Sequence, residues 1–196
     1  MIERFQYDQI YHQHMTYLDY MPLAELANEI GLEIHHIIDT EFHNGSSRYY
    51  LSHKGCYELS TDIIKRKEDI LMNQHNSSKE EDTFREGCMQ KRSNFKNIIN
   101  QYNENGKRIC CVSAPAKGNT ILNYCNISSH DIPFTTEANM LKVGRFTPLS
   151  SLPIKEDQYL KEYKPEAIVI LAWNFLNEIS TSIKRFIPNV KVIKPI

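Results

Sequence analysis

The stretch from Arg108 to Tyr124, Arg-Ile-Cys-Cys-Val-Ser-Ala-Pro-Ala-Lys-Gly-Asn-Thr-Ile-Leu-Asn-Tyr, constrains the fold of this chain more than any other. Ile109 to Val112 is a short apolar, partly β-branched run with the pattern of a buried strand, and Ser113, Ala114 and Pro115 end it. A helix beginning near Lys117 follows. The alternation then continues to the end of the chain: a short strand within Ser128–Phe134, a short helix over Asp157–Tyr163, a second buried strand over Ala167–Trp173, a helix over Asn174–Phe186 and a last strand at Val190–Ile193. Strand and helix in turn predict an α/β fold, a Rossmann-like parallel sheet with flanking helices, over 106–196. Thr135 to Leu152, rich in Thr, Ser, Gly and Pro, is a long irregular stretch, and loops of such length in compact domains are often functional.

In open α/β sheets, ligands collect at strand-to-helix turns. Lys117, Gly118, Asn119 and Thr120 lie where the helix begins, so backbone N–H groups, the positive end of the helix dipole, a lysine and a hydroxyl can converge on one anion. The spacing is neither a P-loop, since Ser113 stands where its first glycine would, nor GxGxxG. An ordinary turn with an exposed lysine has the same signature. Trp173 and Asn174 fall on the same carboxyl edge of the sheet; they are expected to pack and to cap the following helix, with a substrate contact open to both.

Ahead of this region, Met21, Leu23, Leu26, Ala27 and Ile30 recur at helical spacing, with Asp19 as cap, Pro22 in the first turn and Gly31 as the stop. Leu32–Ile38 and Arg48–His53 read as strands joined through Asn44-Gly45-Ser46, a hairpin. Phe84, Cys88, Phe95, Ile98, Ile99 and Tyr102 share one face of a helix over about 80–104, closed by Gly106. With a polar break at 73–78, the segment 59–105 reads as a helical connector. The chain thus divides into 1–20, dense in tyrosine and histidine; 21–105, a small helix–hairpin segment and helical connector; and 106–196, the sheet.

A net charge of -1 points to neither nucleic acid nor an anionic membrane surface. No apolar run approaches the ~20 residues of a membrane span, and the first residues lack a signal peptide's apolar core, so a cytoplasmic location is expected. The five cysteines form no CxxC pair and suggest neither disulfides nor zinc. His12 and His14 would point to opposite faces of a strand, so they and His35 and His36 do not suggest a metal site.

Four stretches, in order, carry a family resemblance: Tyr11-His-Gln-His14, Phe42-His-Asn-Gly-Ser-Ser-Arg48, Lys117-Gly-Asn-Thr-Ile-Leu-Asn-Tyr-Cys125, and Leu171-Ala-Trp-Asn-Phe-Leu-Asn-Glu-Ile179. They look like the SAM-dependent nucleotide-sugar C-methyltransferases, which methylate a keto-deoxysugar. That family joins a zinc-binding module, a SAM-binding Rossmann domain and a C-terminal α/β domain that helps hold the nucleotide sugar. Residues 5–20 are similar to the end of the SAM domain and 21–196 to the C-terminal domain, so more than half of the family's length is missing. The resemblance implies His14 as the base that removes a proton beside the ketone and Tyr11 as an enolate or sugar contact. Gln13 stands where the family has glutamate and can hydrogen-bond but carry no charge. It further implies a nucleotide diphosphate sugar as ligand, held by Lys117, Gly118, Asn119, Thr120, Trp173 and Asn174. Thr135–Gly144 departs from the family's Asp-Arg-Asn-Pro and Lys-Gln-Gly loop, keeping Lys142 and Gly144 in outline. No glycine-rich turn with a following acid precedes Tyr11, so S-adenosylmethionine, the family's cofactor, has no pocket here and would come with a separate SAM-binding chain. The alternative is a non-catalytic nucleotide-sugar-binding module or decayed enzyme fragment.

Overall fold

Asp19 accepts a hydrogen bond from the Tyr20 N–H at 2.7 Å and starts the first helix, α1 (Tyr20–Glu29), as its place ahead of Pro22 predicts. The computed structural model describes residues 1–42, 45–73 and 77–196. His43 and Asn44, in the Phe42–Arg48 motif and the expected Asn-Gly turn, and 74–76 of the polar break lie outside the described residues. The chain forms two compact units, His14–Thr83 and Met1–Gln13 with Phe84–Ile196.

In the smaller unit, Gly31 takes a left-handed φ of 78° and ends α1, and the expected hairpin follows as antiparallel β1 (Leu32–Thr40) and β2 (Ser46–His53). Strict alternation would place Ile34 and Ile37 on opposite faces. A bulge between Ile34 and His36 inserts one residue and turns both isoleucines inward, onto Tyr20 and onto Ile63 of α2 (Thr61–Asn73).

The larger unit holds the rest of α3 (Ser77–Glu104) and then β3 (Ile109–Val112), α4 (Ala116–Tyr124), β4 (Thr135–Glu137), β5 (Ile154–Glu156), α5 (Leu160–Tyr163), β6 (Ala167–Ile170), α6 (Leu176–Lys184) and β7 (Lys191–Ile193). The five strands are parallel, in the order β5-β4-β3-β6-β7, which is the expected Rossmann-like sheet. Every residue of β3 and β6 is buried, and their period of two splits the core. Ile109, Cys111, Ala167 and Val169 pack with Phe95 and Ile99 of α3 and Ile121 and Leu122 of α4. Cys110, Val112, Ile168 and Ile170 pack with Leu160 of α5 and Ile183 of α6. From Phe84 onward α3 is therefore a layer of the sheet domain rather than a connector.

Two other expectations are corrected. Ser128–Phe134 is not a strand: Asp131 Oδ2 accepts both the Ser128 N–H, at 2.9 Å, and its hydroxyl, at 3.0 Å, and this side-chain turn delays the strand to Thr135. Asn174 is not a helix cap, because a 3-10 turn over Trp173–Phe175 comes between β6 and α6 and puts Phe175 in the capping position. Residues 10–19 carry no strand either, so the opposite-face argument for His12 and His14 does not apply.

Candidate functional site

Strand order reverses at β3, so the crevice beyond the carboxyl ends of the central strands is where this topology places a ligand. Ser113 shapes it. Its φ of 70° is left-handed, an uncommon state for a residue with a Cβ, and hydrogen bonds of its N–H, carbonyl and hydroxyl hold it there. Its N–H donates to the Thr136 carbonyl at 2.7 Å, its carbonyl accepts from the Thr135 hydroxyl at 2.8 Å, and its Oγ accepts from the Ala172 N–H at 2.8 Å. The ends of β3, β4 and β6 are thereby joined at one residue. Pro115 then precedes α4 and offers no side-chain cap, which leaves the helix's positive end open.

Beside that end lies a cleft of about 420 Å³. Ala114, Ala116 and Asn119 of the turn form one wall, and Lys142, Arg145, Phe146, Thr147 and Pro148 of the β4–β5 loop another, with Gln13 and Ile154 completing it. The loop is braced from within. The Gly144 N–H donates to the Ile154 carbonyl at 2.9 Å and the Ile154 N–H to the Arg145 carbonyl at 2.8 Å, while the buried Thr147 and Ser150 hydroxyls lie 2.7 Å apart. A φ of 81° at Gly144 makes that return of the chain possible.

Glu137, the last residue of β4, binds the two walls together. Its Oε2 accepts from the Ala114 N–H at 2.9 Å and from Lys142 Nζ at 3.3 Å, and its Oε1 from the Asn139 N–H at 3.1 Å. Burial works to raise its pKa, but the two backbone N–H groups and the Lys142 ammonium outweigh it and hold the carboxyl below its ordinary value. Lys142 also donates to the Ala114 carbonyl at 2.9 Å. Its ammonium is thus fixed at the cleft wall, and the exposed guanidinium of Arg145 adds a second positive charge. Arg145 and an uncapped helix start, beside a Lys142 that shares its charge with Glu137, suit an anionic ligand.

Of the residues expected from sequence, Gln13 and Asn119 line the cleft. Lys117 is buried and its Nζ lies 4.4 Å from the centre of the Trp173 ring. Burial lowers its pKa, partly opposed by the charge of Asp8. Gly118 faces β6 so closely that a Cβ would come within 2.9 Å of Leu171 Cβ. The Thr120 hydroxyl donates to the Ile10 carbonyl at 3.4 Å, and Trp173 is buried with its Nε1–H donating to Asp8 Oδ2 at 2.7 Å. Tyr11 is half-buried, and Asn174 half-buried in its 3-10 turn. His14 belongs to the smaller unit, exposed, its ring edge-on to Tyr17 at 6.5 Å. Arg145, Glu137 and Asp8 escaped sequence reasoning. Glu137 would have been found as the acid ending the second strand had that strand been placed correctly; Asp8 had no signal.

Among the described residues no group of three or more His, Cys, Asp or Glu side chains is placed to hold a metal, and no helix is long and apolar enough to cross a membrane. The chain is similar to the C-methyltransferase NovU of Streptomyces niveus, 25% identical over 190 residues. That alignment takes in 96% of this chain and 45% of the relative, so the chain spans under half of the length of the protein it matches. The family model described as the C-methyltransferase C-terminal domain matches residues 41–196, a span that contains the whole parallel sheet and every cleft residue except Gln13. By that match the chain belongs to the C-methyltransferase C-terminal domain family.

Proposed function

We propose that this chain is the substrate-holding portion of a SAM-dependent C-methyltransferase acting on a nucleotide-linked keto-deoxysugar. The observation that carries the reading is the cleft at the carboxyl edge of the sheet, where Lys142, Arg145 and the open start of α4 face one space. A diphosphate fits that chemistry, with Asn119 and Gln13 as neutral hydrogen-bonding neighbours.

Methylating a carbon beside a ketone needs a base for its proton, a donor to steady the enolate oxygen and a methyl group held in line. The family resemblance gives the first task to His14, imidazole being a side chain suited to proton transfer, and the second to Tyr11. Lys117 and Trp173 support the cleft from behind in this reading, and Lys142 and Arg145 meet the phosphates.

S-adenosylmethionine is the methyl donor that the family implies, and the turn at the centre of this sheet does not fit it. Ser113–Ala116 contains no glycine to admit a nucleoside, and Glu137, at the position where such folds bind ribose hydroxyls, is occupied by the Ala114 N–H and Lys142. The donor is accordingly held outside this turn.

Titration calorimetry with dTDP, GDP and CDP, and with their keto-deoxysugar conjugates, tests the reading. One nucleotide series should bind, and Lys142→Ala and Arg145→Ala should each weaken it by ~1.5–3 kcal/mol, the value of one charge-assisted hydrogen bond. No heat with any of them, or affinity unchanged in both variants, refutes it. Heat with S-adenosylmethionine alone would overturn the assignment of the donor.

A further inference from the structure

Met1–Gln13 belongs to the larger unit and lies along it as a strap. Lys91 Nζ donates to the Arg4 carbonyl at 2.6 Å, Phe5 packs on Gly87, where a Cβ would come within 2.5 Å of the ring, and the Tyr7 hydroxyl lies 3.4 Å from Cys125 Sγ. At the middle of the strap Asp8 is wholly buried. Its Oδ2 accepts from Trp173 Nε1–H at 2.7 Å, and its Oδ1 has no hydrogen-bond partner among the described residues. The ammonium groups of Lys117 and Lys194 lie 4.4 and 4.6 Å from the centre of the same indole.

A buried carboxylate with an unsatisfied oxygen costs stability that a leucine in its place would not. What the carboxylate does and leucine cannot is hold the indole N–H and attract Lys117. That links three elements: the strap, the end of β6 and the first turn of α4. Five residues further on, Gln13 lines the cleft. We propose that Asp8 is a positioning residue for the cleft, its carboxylate tying the strap to Trp173 and Lys117 and so setting Gln13 against the ligand. The ligand itself rests on the function proposed above; the tie does not.

Trp173 is the chain's single tryptophan, so its emission reports on the clasp directly. Asp8→Leu should shift that emission, speed amide exchange over residues 9–13 about tenfold and weaken binding of the nucleoside diphosphate about tenfold. Asp8→Asn keeps an acceptor for the indole but loses the charge that faces Lys117, so it should fall between the parent and Asp8→Leu in all three. Unchanged emission and exchange in Asp8→Leu would overturn the tie. Altered emission and exchange with unchanged affinity would reduce Asp8 to a structural role and overturn the positioning. Should Asp8→Leu fail to fold, Trp173→Phe removes the same hydrogen bond, and exchange over residues 9–13 decides. Should the parent bind no nucleoside diphosphate, the diphosphate reading falls, and exchange at Gln13 alone decides whether Asp8 sets its place.

Discussion

Replacing Glu137 by glutamine tests whether the carboxylate that joins the cleft walls acts through its charge and its acceptor-only character. Glu137 receives three donors, Ala114 N–H and Lys142 Nζ on one oxygen and Asn139 N–H on the other. A glutamine amide has one oxygen, so in either orientation its NH2 faces at least one backbone N–H. If the amide oxygen stays with Ala114 and Lys142, Asn139 is left unpaired; if it turns to Asn139, both of the others are. Losing one charge-assisted bond and leaving one donor unmet costs ~1.5–3 kcal/mol, or roughly 3–12 °C in Tm for a chain of this size. The sign of the pH dependence follows from the direction of the shift. Glu137 titrates below its ordinary value, so its contribution is fully present above that value and disappears as pH falls through the lower folded one. Urea melts of parent and variant should differ at pH 7 and converge well below pH 4. A Glu137→Gln protein as stable as the parent at pH 7, or a gap that persists in acid, would refute the account.

Asp8 has the opposite direction: burial raises its pKa against the pull of Trp173 and Lys117, so its contribution is present in acid and lost as pH rises through the folded value. Asp8→Asn should therefore cost less stability at pH 7 than at pH 4 in the same melts. Gly118→Ala gains helix propensity of about 1 kcal/mol but drives a Cβ to 2.9 Å from Leu171, and the clash should win by ~1–2 kcal/mol in thermal unfolding. Phe95→Ala, within the α3 layer, should cost ~3–5 kcal/mol by chemical denaturation; a loss below 1 kcal/mol would restore the view of that helix as a connector. In the native protein a thiol reagent should modify exposed Cys56 quickly, with Cys88, Cys110, Cys111 and Cys125 reacting only on unfolding, since burial both covers them and raises their pKa values.

The sheet was legible because β3 and β6 are short continuous apolar runs bounded by breakers, the usual composition of strands buried on both faces. The hairpin and α1 were legible through Asp19, Gly31 and the pattern of the strands between. β4 was missed because its first two residues are threonines, whose strand character comes from the neighbours that pair with them, while the apolar run just before it is bent by the Asp131 turn. The bulge that turns both Ile34 and Ile37 inward appeared only as imperfect alternation. Asp8 sat in a segment without periodicity, and no local signal marks a carboxylate whose partner is 165 residues away.

The two lysines near the β3–α4 turn show that proximity to a helix start alone does not decide which lysine borders the cleft. Successive residues of a helix turn by about 100°, so once Gly118 must face β6 to allow close packing, its neighbours are directed away from that axis on opposite sides. Asn119 turns toward the cleft, and Lys117 turns toward Trp173 and Asp8. The cation that reaches the cleft instead comes from the next loop, where the Gly144 turn and the Glu137 carboxylate hold Lys142 against the Ala114 carbonyl. A lysine's role at such a site thus follows from which face of the helix the packing glycine claims. Gly118 and Glu137 decide between them which lysine borders the cleft.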